Sequence, residues 1–211
     1  MAPSVVDGDA MVHSKNNAIP IERLPQLKAL VSPVRQDIVD TLQSLGTAST
    51  TDLAEQLGRP ADGLYYHVRA LLKAGLVMPA GNRPQGGRME ALYRTAAPEQ
   101  GLKLNYEQSG RSARLTLERL VASMLRTANR NFREALERPD VIAEGAVREL
   151  WAARGKGWLT RTELRRVNAL LRELGELLTQ RRSPRRDRLL SLTFVLAPAR
   201  KRPSRRRRIE Q

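Results

Sequence analysis

Residues 49–77, STTDLAEQLGRPADGLYYHVRALLKAGLV, leave the chain few ways to fold. Ser49 with Asp52 three residues on resembles a capping box. Leu53, Ala54 and Leu57 give one apolar face and Gly58 ends the pattern, which predicts a helix of about two turns. After the link Gly58-Arg59-Pro60, the residues Leu64, Val68, Leu71 and Leu72 follow i, i+4, i+7, i+8 spacing up to a stop at Gly75, so a second, longer helix is predicted. Short helix, tight link and longer helix make the helix-turn-helix layout. Upstream, SPVRQDIVDTLQSLG has Ser32 placed to cap, Pro33 at the first helical position, Val34, Ile38, Val39, Leu42 and Leu45 on one face, and Gly46 past the end. It reads as another amphipathic helix.

Each helical residue advances by about 100°, so with Leu64 at zero the apolar set spans roughly −20° to 80°. On the same wheel Asp62, Tyr66, Arg69 and Lys73 fall between about 140° and 200°, with Tyr65 at the shoulder near 100°. Planar rings and hydrogen-bonding groups opposite a locked leucine stripe suit a helix entering a major groove about 12 Å wide. Tyrosine hydroxyls bond phosphates or base edges, the rings pack on sugars or thymine methyls, and Arg69 bonds a guanine edge or a phosphate. The plainer alternative is that the rings cover a hydrophobic margin. His67 leans back toward the leucine stripe and reads as a packed, hydrogen-bonded residue at the core edge. His13 falls in an unpatterned arm and supports no site.

LVMPA and RMEALYRTA then read as strands joined by GNRPQGGR, a turn with arginines at its shoulders. Together with LVSPVRQDIVDTL and the two helices of the opening stretch, these segments resemble the winged helix-turn-helix domain of ArsR-like transcriptional regulators over roughly residues 24–97. The resemblance implies recognition-helix positions for Ala61, Asp62, Tyr65, Tyr66 and Arg69. It implies wing positions for Arg83 and Arg88, where arginines reach minor-groove edges or flanking phosphates; the competing reading is that they solubilise a hairpin. The family's metal sensors carry a cysteine-containing motif in the first helix of the helix-turn-helix. TTDLAEQLG has no Cys, so neither a metal of that type nor a cofactor is expected.

From Ser112 to Glu137 no Pro or Gly interrupts a helical pattern that Pro139 stops, a helix of roughly 40 Å. Leu117, Val121, Met124, Ala128 and Phe132 mark it as a dimerisation element, with Leu115 and Leu125 widening the stripe. RELWAARGKGWLT, TRTELRRVNALLRELGELLTQRR and LLSLTFVLA predict a β-α-β companion domain, its core filled by Trp151, Trp158 and Phe194 together with Phe132. A similar C-terminal arrangement occurs in some ArsR-like regulators that lack metal sites, and it implies a place for a small-molecule effector that nothing in the sequence names. The expected fold is mainly α with small β (α+β). Its parts are a disordered arm (1–20), a winged helix-turn-helix (21–98), a long helix (99–140), the companion domain (141–198) and a basic tail (199–211).

The 211 residues hold 37 Lys+Arg against 22 Asp+Glu, a net charge of +15, which points to a polyanionic partner. Residues 180–211 alone hold twelve bases and two acids, 12 − 2 = +10 of that excess. With no Cys and two His, disulfides and thiolate metal sites are excluded. No apolar run is long enough for a membrane span, and a cytoplasmic protein is expected. An enzyme needs a polar constellation that this sequence does not assemble, because its acids mostly alternate with arginines on helix faces. The reading is a homodimeric, sequence-specific regulator that binds double-stranded DNA at an inverted repeat. A non-specific nucleoid-associated or RNA-binding protein using the tail is the main alternative, and a protein-interaction module the third.

Overall fold

The computed structural model describes residues 19–21, 23–96, 102–104, 106 and 110–199. The expected arm up to residue 18 and the basic tail from residue 200 lie outside the described residues. The elements are β1 Ile19–Ile21, α1 Leu24–Leu30, α2 Pro33–Leu45, β2 Ala48–Ser49, α3 Thr50–Leu57, α4 Ala61–Ala74, β3 Val77–Gln85, β4 Arg88–Thr95, β5 Leu102–Leu104, α5 Arg111–Leu136 and α6 Arg161–Leu178. The result is mixed helix with a small antiparallel sheet, ordered β2-β4-β3, and a short parallel pair β1-β5.

Local chemistry sets the boundaries. At α3 the capping box forms as expected: Ser49 Oγ accepts from the Asp52 N–H at 3.1 Å, and Asp52 Oδ2 accepts from the Ser49 N–H at 2.9 Å. At α2, Ser32 occupies the cap but its side chain makes no capping bond. There Gln36 Nε2 donates instead to the Leu30 carbonyl at 2.6 Å, tying α2 to the end of α1. Gly75, at φ +70°, ends α4 in a left-handed conformation that side chains resist. The expected turn GNRPQGGR is mostly strand: β3 runs to Gln85, which pairs with Arg88 across the two-residue turn Gly86-Gly87. Both glycines have positive φ, which a hairpin of this length requires.

One core holds the elements from β1 to α5. Leu53 of α3 and Leu64, Val68 and Leu71 of α4 meet Ile38 and Leu42 of α2, with Leu76 closing the edge. Leu27 and Leu30 of α1 and Leu120 of α5 join the same cluster. A fully buried side chain of this size contributes about 1.5–3 kcal/mol. The long helix therefore packs on the winged helix rather than standing clear of it, and Arg130 on α5 meets Asp37 on α2 at 3.6 Å.

The C-terminal expectation is corrected. Residues 141–160 and 179–199 form no strand beyond an isolated bridge between Ser183 and Arg186, so the β-α-β unit is absent from the described residues. Trp151 and Trp158 are 65% and 89% exposed, and Phe194 is exposed too, so they fill no core. Strand-forming side chains make a strand only where a second backbone supplies a ladder, and beyond single hydrogen bonds and the isolated bridge none is formed with these segments. The boundary at residue 20 also shifts, since Ile19 and Pro20 lie in β1.

Leu71 is completely buried at the centre of the core. Leu71→Ala is expected to destabilise the protein by about 3 kcal/mol, read as a lower urea midpoint at unchanged m-value. A loss under about 1 kcal/mol would show that α4 is not packed on this cluster.

Candidate nucleic-acid interface

Burial of Leu64, Val68 and Leu71 fixes the rotation of α4 about its axis. What remains outside is the face the periodicity assigned: Asp62, Tyr65, Tyr66, Arg69 and Lys73 are exposed, and Ala61 is half-buried at the helix start. Tyr66 is 71% exposed and Tyr65 50%, as a centre and a rim position should be. Asp62 is the acid in the first turn, where it complements the positive end of the helix dipole. Facing DNA, a carboxylate there would repel phosphate and suit a cytosine amino group.

His67 is half-buried, and its ring sits edge-on to Tyr66, with centroids 5.5 Å apart. The hydrogen bond expected of it is missing at Nδ1, which is buried without a partner. Burial, with the charges of Arg35 on α2 and Arg59 in the α3–α4 link, pushes its pKa below the usual histidine value of 6.5, so the ring is neutral at neutral pH. Arg35 and Arg59 thus add positive charge beside α4. Sequence reasoning did not single them out, because among 31 arginines no pattern distinguishes two whose positions meet only in the fold.

The wing divides its arginines. Arg88 stands exposed at the tip, beside the Gly86-Gly87 turn. Arg83 does not: its Nη2 lies 2.7 Å from Asp52 Oδ1 and 3.0 Å from Glu90 Oε2, its cross-strand neighbour on β4. The guanidinium expected at a minor groove is paired with two carboxylates of the protein while its side chain stays 37% exposed, and it ties β3 to the first turn of α3. Partial burial raises the Asp52 pKa, but hydrogen bonds from Arg83 and Ser49 and the Arg83 charge bring it below the usual 3.8. Arg83 is held correspondingly above its ordinary value by the hydrogen bonds to Asp52 and Glu90.

The proposed dimer residues are spread over two environments. Leu117 and Met124 pack against the core, while Val121, Ala128 and Phe132 are half-buried. The large apolar residues α5 leaves open are Leu115, Leu125 and Leu136. Among the described residues no group of three or more His, Cys, Asp or Glu is placed to hold a metal ion, and no helix is long and apolar enough to cross a membrane.

Because the folded Asp52 pKa is depressed, its contribution to stability is present above the unfolded value and is lost as pH falls through the folded one. Wild type is expected to melt above Asp52→Asn at pH 7, and the gap in Tm should close as pH drops below 3.8. A gap that stays constant down to acid pH would show that the charge at residue 52 does not hold the wing.

Residues 30–79 match a family model described as a helix-turn-helix domain. The match runs from the end of α1 into β3 and takes in α2, α3 and the whole of α4 with its exposed face. A comparison with curated proteins found no match. The chain carries a helix-turn-helix domain, the fold of a DNA-binding regulator.

Proposed function

We propose that this protein is a sequence-specific, DNA-binding transcriptional regulator of the ArsR-like winged-helix type, acting in the cytoplasm as a homodimer on an inverted repeat. One observation carries the reading: α4 buries its leucines and presents Tyr66, Arg69 and Lys73, with Tyr65 at the rim, to the outside. A rigid helix with that face enters a major groove, where the tyrosines and Arg69 meet base edges and Lys73 meets phosphate. Arg88 supplies the wing contact, and Arg83 sets the wing's angle through Asp52. A single winged helix covers few base pairs, so two copies about 34 Å apart are needed for a specific site. The outer face of α5, from Leu115 and Leu125 to Val121, Ala128 and Phe132, is a surface for the second copy.

The +10 charge of residues 180–211 favours a second reading, non-specific binding of nucleic acid through the tail. Selection of bound duplexes from a random pool separates the two. A palindromic consensus is expected. Tyr66→Ala and Arg69→Ala should each weaken binding to that site about tenfold or more while leaving random-sequence binding unchanged. A pool with no consensus, and affinity lost only when residues 200–211 are deleted, would overturn the specific reading.

A further inference from the structure

α6 is unlike the other described helices in that none of its residues is buried. Taking Leu171 as zero and about 100° per residue, Leu177, Leu170, Leu174, Val167, Leu178, Leu171 and Leu164 form a stripe from roughly −120° to 20°. It runs from Leu164 to Leu178 of an 18-residue helix, about 21 Å; Glu163, near −80° on the same wheel, shares this face in the first turn, where its carboxylate is turned back onto the Thr160 cap. Leu174 is 42% exposed and Leu164, Leu170, Leu177 and Leu178 no less. The chain's own neighbouring segment does not cover them, because Leu189, Leu192, Phe194 and Leu196 are themselves exposed. A contiguous apolar face of this length marks an interaction surface.

The charges beside the stripe say what fits it. The flank just beyond Leu177 on the wheel carries Arg166 and Glu173; the flank just beyond Leu164 carries Gly175 and Asn168 and no charge. Arg161, Arg165 and Arg172 lie further round, toward the back. Two copies packed antiparallel about a twofold axis near Ala169 bring Leu164 level with Leu174 of the partner subunit and Val167 level with Leu171 of the partner subunit. In that arrangement Arg166 comes within one residue's rise, about 1.5 Å along the axis, of Glu173 of the partner subunit, and symmetry makes the pair twice. On the uncharged flank a side chain at Gly175 would meet nothing within 4 Å, so that edge is open to close approach. A parallel pair would instead set the Arg166 and Glu173 flank against the uncharged Gly175 and Asn168 flank of the second copy and leave both charges without a partner across the seam.

From this self-complementarity we infer that α6 is a docking surface for a second copy of the chain, packed antiparallel through its leucine stripe and fixed in register by Arg166 and Glu173. The inference rests on the homodimer reading and names a surface that reading did not include.

Sedimentation equilibrium of the full-length chain tests it. Wild type is expected to be a dimer, and Leu174→Glu should raise the dimer dissociation constant more than tenfold. Arg166→Glu and Glu173→Arg should each raise it about tenfold, since each turns two attractive pairs repulsive, and the double swap Arg166→Glu/Glu173→Arg should restore wild-type association. That restoration cannot come from misfolded variants. If wild type is a dimer that all these changes leave intact, or if the double swap fails to restore it, the α6 assignment is overturned while the homodimer reading stands. A wild type that is monomeric at every concentration overturns both.

Discussion

The rotational setting of α4 governs everything at the candidate interface. Leu64, Val68 and Leu71 are held by Leu53, Ile38 and Leu42 in one cluster, so α4 has a single way to lie. A slip of one residue would turn the helix by about 100° and carry a tyrosine ring toward the core and a leucine into water. The chemistry of the outer face is therefore a consequence of burial on the inner one. The same cluster reaches back to Leu27 and Leu30 and out to Leu120, so α4 is braced by helices on both sides of it in sequence.

Asp52 extends that bracing to the wing. Its Oδ2 caps α3 by accepting from the Ser49 N–H, and its Oδ1 holds Arg83 of β3. One carboxylate thus satisfies a helix terminus and orients a hairpin, and the start of α3 and the direction of the wing cannot vary independently. Ser49 tightens the link, being at once the cap of α3 and the last residue of β2, opposite Leu92 on β4. Arg88 is left free at the tip because the structural work falls to Arg83.

What the sequence made legible follows from how local each signal is. Capping boxes, glycine stops and leucine spacing act within a few residues, and α2, α3 and α4 came out where those signals put them, while the hairpin formed with its turn shortened to Gly86-Gly87. α1 escaped because seven residues, Leu24–Leu30, are too few to display a period. The β1-β5 pair escaped because Ile19 and Leu102 are joined by a parallel ladder across most of the winged helix, with no turn to announce it. Arg83 looked free for the same reason: its partner Asp52 lies 31 positions away. In residues 141–199 the strand-forming side chains predicted two strands that are not there, because a ladder needs a second backbone that one chain's pattern does not supply.

That C-terminal region is tied to the end of α2. The Arg182 N–H donates to the Ser44 carbonyl at 2.9 Å, supplying a partner to one of the open carbonyls at the end of α2. Arg181 lies so close to Gly46 that a side chain there would meet its guanidinium at 3.3 Å, and its charge sits at the negative end of the α2 dipole. α6 ends at Leu178, three residues before Arg181, so little slack separates the two. A twofold axis through α6 would thus act on α2 directly, and through Ile38 and Leu42 on α4. In the proposed homodimer the distance between two α4 helices, which sets the half-site spacing, would then depend on α6.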